Sequence, residues 1–86
     1  MSFMPIHAGE YLRDELNARK WTQHKFAQES ELSPRTISLI VREIHAITPL
    51  ESIRIGKALG VFEDLFYKLQ CQYNRDIMIA SGQIRN

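Results

Sequence analysis

The residues with the most specific chemistry lie between Ser33 and Pro49, in the stretch SPRTISLIVREIHAITP. Ile37, Ile40 and Val41 recur at helical spacing, so on a helix they share one face and the polar residues look away from it. Arg35, Thr36, Ser38 and Leu39 then occupy the outward N-terminal half of that helix, and Arg42 its end. An arginine near the start of such a helix chelates the O6 and N7 of a guanine, while serine and threonine serve bases or phosphates. Arg42 is better placed for a backbone phosphate than for a base edge. Leu39 reads as a partly exposed packing residue ahead of a thymine-methyl reader. Each arginine has a plainer alternative, a solvated charge on a helix surface.

Those side chains need a frame, and the punctuation of the chain supplies one. Ser33 is a good N-cap with Pro34 in the first helical position, where the missing N–H costs nothing. Before it, Thr22 caps a helix carrying Phe26 and Ala27, so residues 23–42 have helix-turn-helix spacing, with Leu32 after the turn. Gln23 and the amides at the start of that earlier helix are candidates to hold a phosphate, as helix N-termini attract anions. Ser33 and Thr48 mark two further N-termini with the same property. The same spacing also occurs as a plain packing motif, so from pattern alone a DNA reader and a structural helix pair both remain open.

The remaining elements are helical as well. Residues 1–8 are expected as an irregular lead-in, followed by a helix from Gly9 to about Arg19 in which Glu15 pairs with Arg19. Thr48-Pro49-Leu50-Glu51 joins an N-cap, a first-position proline and a glutamate three residues on, a capping box. Gly60 is the expected left-handed stop of that helix. Phe62, Leu65, Phe66, Leu69, Tyr73, Ile77 and Ala80 then step by three or four, predicting a long helix over 62–80. Roughly eighteen residues span about 27 Å, more than so small a core covers, so its C-terminal half is expected to meet a second copy. No run alternates like a strand. The fold class is all-α: a single domain, 1–86, of five helices.

At 86 residues the chain has room for one core, with roughly 60–65% of its unfolded surface buried. Eleven Lys and Arg against ten Asp and Glu argue against a strongly cationic coat and leave room for a local basic patch. Cys71 is the single cysteine, which excludes an internal disulfide and a four-cysteine zinc site. It is expected as a small packing residue, and Trp21 as a core residue. His7, His24 and His45 are scattered without ligand spacing, so no metal is expected. The acid pairs Asp14-Glu15 and Glu63-Asp64 are sequence neighbours that do not face each other on a helix, and no phosphate loop or nucleophile elbow is present. The expectation is no enzyme and no cofactor. Lacking a leader or a membrane-length apolar run, the chain reads as soluble and cytoplasmic, with no membrane partner.

Taken together, HAGEYLRDELNARKWTQHKFAQES, LSPRTISLIV, ITPLESIRIGKALG and LFYKLQCQY resemble, in this order, the HigA-type antitoxins. These are lambda-repressor-like, Xre-type helix-turn-helix proteins. The resemblance covers about residues 7–76 and rests on the joint occurrence of H-x-G-E, T-Q, S-x-x-T-I-S, I-T-P and L-Q-x-x-Y. It implies a homodimer that binds operator DNA, represses its own operon and neutralises a ribosome-dependent, mRNA-cleaving toxin. The candidate DNA-contacting set, taken from the helix-turn-helix spacing and the helix N-termini, is Gln23, Ser33, Arg35, Thr36, Ser38, Leu39, Arg42 and Thr48. The chain differs from the family pattern at Glu31, where glycine is usual in the turn, at Arg42-Glu43, where Asn-Gly is common, at Leu39, where a polar or basic residue is common, and at Ala8, which replaces a proline.

Overall fold

The computed structural model describes residues 4–84, so the first three residues of the expected lead-in fall outside it. The described residues form α1 (Ala8–Arg19), α2 (Gln23–Ser30), α3 (Pro34–Val41), α4 (Pro49–Leu59) and α5 (Leu65–Ala80), with no strand among them. Each of the first four helices begins where a side chain can accept one of the amide protons that an N-terminus leaves free. Thr22 accepts from the Lys25 amide, Ser33 from Thr36 and Thr48 from Glu51. At Thr48 the capping box is complete, because the Glu51 carboxylate also accepts the Thr48 amide proton at 2.9 Å. Gly60 closes α4 in the left-handed region, φ 75°. The Glu15–Arg19 pair forms at 3.1 Å.

The cap of α1 was not legible from residue type. His7 is 3% exposed, and its Nδ1 accepts the Gly9 N–H at 2.8 Å. Its ring meets Tyr73 of α5 edge-on, with centroids 4.9 Å apart. Gly9, just beyond, lets α1 and α3 approach closely. A β-carbon there would lie 1.8 Å from the Ile40 carbonyl oxygen, so only glycine fits without moving one helix.

The two leucines of α1, Leu12 and Leu16, meet Phe26 of α2, Ile37 and Ile40 of α3, Ile55 of α4 and Phe66 of α5 in a single core. Burying each of these side chains contributes about 1.5–3 kcal/mol, which is what holds five short helices together. Trp21 is half-buried against this core, with the Arg19 guanidinium 5.5 Å from its ring centroid. Polar side chains fasten the joints between elements. Gln70 of α5, 2% exposed, accepts the Ile47 N–H at 3.0 Å and so pins the α3–α4 loop. Ser52 donates to the Glu63 carbonyl at 2.7 Å and accepts the Tyr67 amide at 2.9 Å.

Two expectations change. The final helix starts at Leu65, not Phe62, and Phe62 is 83% exposed. The backbone of residues 62 and 63 lies hard against Gly56, where a β-carbon would come within 2.8 Å of the Phe62 carbonyl oxygen. The Glu63 carbonyl is taken by Ser52, so this segment turns around α4 before it can wind into a helix. Asp64 supplies no side-chain cap and pairs instead with Lys68 at 2.9 Å, which holds its carboxyl below the usual carboxylate range. Cys71, expected in the packing, is exposed, because α5 turns Phe66 and Gln70 inward and leaves residue 71 outside.

Gly9→Ala should destabilise the domain by about 3 kcal/mol, the upper end of overpacking costs, read as a lower urea midpoint at unchanged m-value. His7 gives a pH dependence with a definite sign. Burial lowers its pKa below 6.5, opposed by Glu43 and reinforced by His45. The unfolded chain therefore binds that proton first, so stability is full above about pH 6.5 and falls as pH drops toward the folded value. His7→Asn caps without titrating and should remove this part of the decline; urea titrations of both proteins between pH 7.5 and 5 measure it.

Candidate nucleic-acid interface

The structure puts α3 where the sequence pattern expects an outward-reading helix. Ile37 and Ile40 are fully buried and Val41 nearly so, which fixes one face and turns the other out. Arg35 is exposed on the first turn, and Arg42 is exposed at the C-cap. Among the described residues neither guanidinium has an ion-pair or hydrogen-bond partner. Thr36, Ser38 and Leu39 are half-buried, so each can offer one edge of its side chain outward. The Ser33 hydroxyl accepts the Thr36 amide at 3.0 Å and donates to the Thr36 hydroxyl at 2.9 Å. Its proton is thus already committed, and Thr36 keeps a hydroxyl proton free to donate.

The two other candidate positions belong to neighbouring helices. Gln23 is exposed as the first residue of α2, which packs on both α3 and α4. Thr48 is exposed at the start of α4, but its amide and hydroxyl oxygen are both engaged by the capping box. The Glu51 carboxylate of that box also holds His45 Nε2, at 2.9 Å from either oxygen. A phosphate here meets the Thr48 hydroxyl proton beside a negative charge, a weaker anion site than an open helix N-terminus.

Charge pairing sharpens the picture of the helix-turn-helix. From Thr22 to His45, Lys25, Arg35 and Arg42 stand against Glu29, Glu31 and Glu43. Lys25 pairs with Glu29 at 3.0 Å, and Glu43 pairs with Arg13 of α1 at 3.8 Å. The unpaired cations of this segment are therefore Arg35 and Arg42, both at α3.

Both flanks of α3 adopt the left-handed region with glutamate in place of glycine: Glu31 at φ 59° and Glu43 at φ 64°. Such a conformation costs an L-residue about 1–2 kcal/mol. Arg54 of α4 donates to the Glu31 carbonyl at 3.2 Å, and Arg13 of α1 donates to the Val41 carbonyl at 3.4 Å. Sequence reasoning missed both arginines, since a contact to a distant carbonyl leaves no trace in local spacing. It also passed over Gln70 as a pin, although Gln70 sits in the L-Q-x-x-Y element. Among the described residues no cluster of His, Cys, Asp and Glu is arranged to hold a metal, and no helix is long and apolar enough to cross a membrane.

Comparison with known proteins agrees with this architecture. A family model described as helix-turn-helix matches residues 12–66. No curated protein matches the chain. Among solved structures, Pseudomonas aeruginosa antitoxin HigA with the higBA promoter superposes with a TM-score of 0.86 at 31% identity, covering 93% of this chain and 88% of that one. A Pseudomonas aeruginosa protein in complex with its 28 bp operator DNA gives 0.87 at 31% identity, over 93% and 89% of the two chains. An addiction-module antidote protein of the HigA family from Coxiella burnetii shares the fold, with a TM-score of 0.85 at 24% identity over 92% and 87%. The chain belongs to the helix-turn-helix family and, within it, to the HigA-type antitoxins.

Proposed function

We propose that this chain is an antitoxin that binds operator DNA as a homodimer, represses its own operon and neutralises an mRNA-cleaving toxin. The observation that carries the DNA reading is the likeness to a protein solved on its operator, at a TM-score of 0.87 and 31% identity, combined with two unpaired arginines on α3. Arg35 enters the major groove and contacts a base, Thr36 and Ser38 contact bases or phosphates, and Arg42 meets the backbone. Gln23 at the α2 N-terminus clamps a phosphate, Ser33 sets the start of α3, and Leu39 packs against the groove edge. Thr48 contributes the least, because its cap leaves only the hydroxyl proton.

A dimer follows from the charge. A segment whose net charge is zero apart from histidine neutralises few phosphates per subunit, so useful affinity requires two half-sites about 34–36 Å apart. The far end of α5 and the turn after it support that arrangement: Ile77 and Met78 are 40% and 42% exposed and Ile84 43%, beyond the core that Phe66 reaches. Neutralisation of the toxin rests on the family alone and carries no residue assignment here.

A second reading has one observation in its favour. The pairing of Lys25 with Glu29 on α2 and the apolar Leu39 on α3 leave the helix-turn-helix with no free cation beyond Arg35 and Arg42, which suits a toxin-binding module that has lost operator binding. Arg35→Ala separates the two. For an operator reader it should cost about 1–3 kcal/mol on the preferred site and relax discrimination at one base pair. Titration against a panel of single-base operator variants reads both effects, and an identical panel before and after the substitution would reject base contact by Arg35.

A further inference from the structure

We infer that Arg13 and Arg54 are positioning residues for operator reading: from two scaffold helices they fasten the left-handed turns at either end of α3 and so fix the angle at which it meets the groove. This rests on the DNA-reading role proposed above and adds two residues that touch no base. Helix α3 is short, Pro34–Val41, and its direction depends on the turns before and after it. Those turns contain Glu31 and Glu43 at positive φ, a region in which an L-residue is disfavoured and from which its own backbone tends to relax. At each turn an arginine from outside the helix-turn-helix holds the chain in place.

The two arrangements differ in detail but act alike. Arg54 projects from α4 and donates to the carbonyl of Glu31 itself, at 3.2 Å. Arg13 projects from α1, donates to the Val41 carbonyl at 3.4 Å, and lies 3.8 Å from the Glu43 carboxylate and from that of Glu10. The Val41 carbonyl is one of those left without a partner at the end of α3, so the guanidinium also suits the negative pole of that helix. A guanidinium presents its donors in a rigid fork, which a lysine cannot reproduce. Isolated surface pairs contribute little to stability. Their effect is expected in geometry, because small rotations of α3 move Arg35 across the base edges.

The experiment compares the dissociation constant for a selected operator with that for random duplex of equal length, at one salt concentration. Arg54→Gln and Arg13→Gln each remove one charge, which weakens both duplexes together. The ratio of the random-duplex constant to the operator constant isolates positioning. It should fall about 5- to 10-fold in each variant, a partial loss of the discrimination that one bidentate base contact provides. In the Arg54→Gln background, Glu31→Gly should restore the ratio to within about twofold, since glycine adopts the turn unaided. Glu31→Gln changes charge equally but keeps a side chain at positive φ, and should restore nothing. Unchanged ratios in both arginine variants, or equal rescue by glycine and glutamine, would overturn the inference while leaving the operator reading intact. A wild-type protein with no preferred duplex would reject the operator reading, and this inference with it.

Discussion

Helix α1 lies so close to α3 that the Ile40 carbonyl oxygen occupies the space where a side chain at residue 9 would begin. Much of the molecule depends on that approach. It brings Leu12 and Leu16 onto Ile37 and Ile40, closing the core behind the outward face of α3. It also sets the N-terminus of α1 beside α5, where His7 caps one helix and leans on the other through Tyr73. A helix of Pro34–Val41 has too few turns to be stable alone. It exists here because one face is clamped between α1 and α2, and that same clamp leaves Arg35 and Arg42 facing solvent without partners.

The sequence made visible what local chemistry determines. Thr22, Ser33 and Thr48 announce their helices because a hydroxyl before a helix is the ready acceptor for its free amides. Gly60 announces a stop because few other residues take a left-handed conformation without strain. The buried faces followed from spacing, since Phe26, Ala27, Ile37 and Ile40 repeat at helical intervals. What stayed hidden depends on distant parts of the chain. The apolar stripe continues back through Phe62, so periodicity alone extends α5 too far; the Ser52 hydroxyl and Gly56 surface that deny those residues a helix lie on α4. Cys71 fits an apolar pattern by composition, yet falls on the solvent side once Phe66 and Gln70 are inside. His7 was hidden for a different reason: a histidine is not among the usual N-cap residues, and only the folded geometry brings its Nδ1 to the Gly9 amide.

The candidate site divides along the same line. That α3 buries one face and turns the other outward was legible, and so were the residues on its outer face. Their availability was not, because it depends on pairing. Formal charge over the helix-turn-helix cancels, which from sequence suggests a poor partner for DNA. The structure resolves part of that tension by occupying Lys25 with Glu29 and Glu43 with Arg13, leaving the unpaired cations together on α3. Non-specific attraction per subunit stays weak, and such a protein gains affinity from two subunits on one duplex and from base contacts more than from a charged surface.

Operator reading by α3 is tested most directly by selection of binding sites from a random duplex pool, followed by titration of the enriched site at several salt concentrations. Two subunits reading one duplex should select a two-fold-related site with half-sites about 10 bp apart or a multiple of that. Log affinity should fall linearly with log salt, with a slope, about −0.9 per neutralised phosphate, that corresponds to few contacts per subunit. A pool that yields no enriched sequence, with only weak salt-sensitive binding to every duplex, would contradict it. In that case α3 would keep the form of a reading helix without the activity.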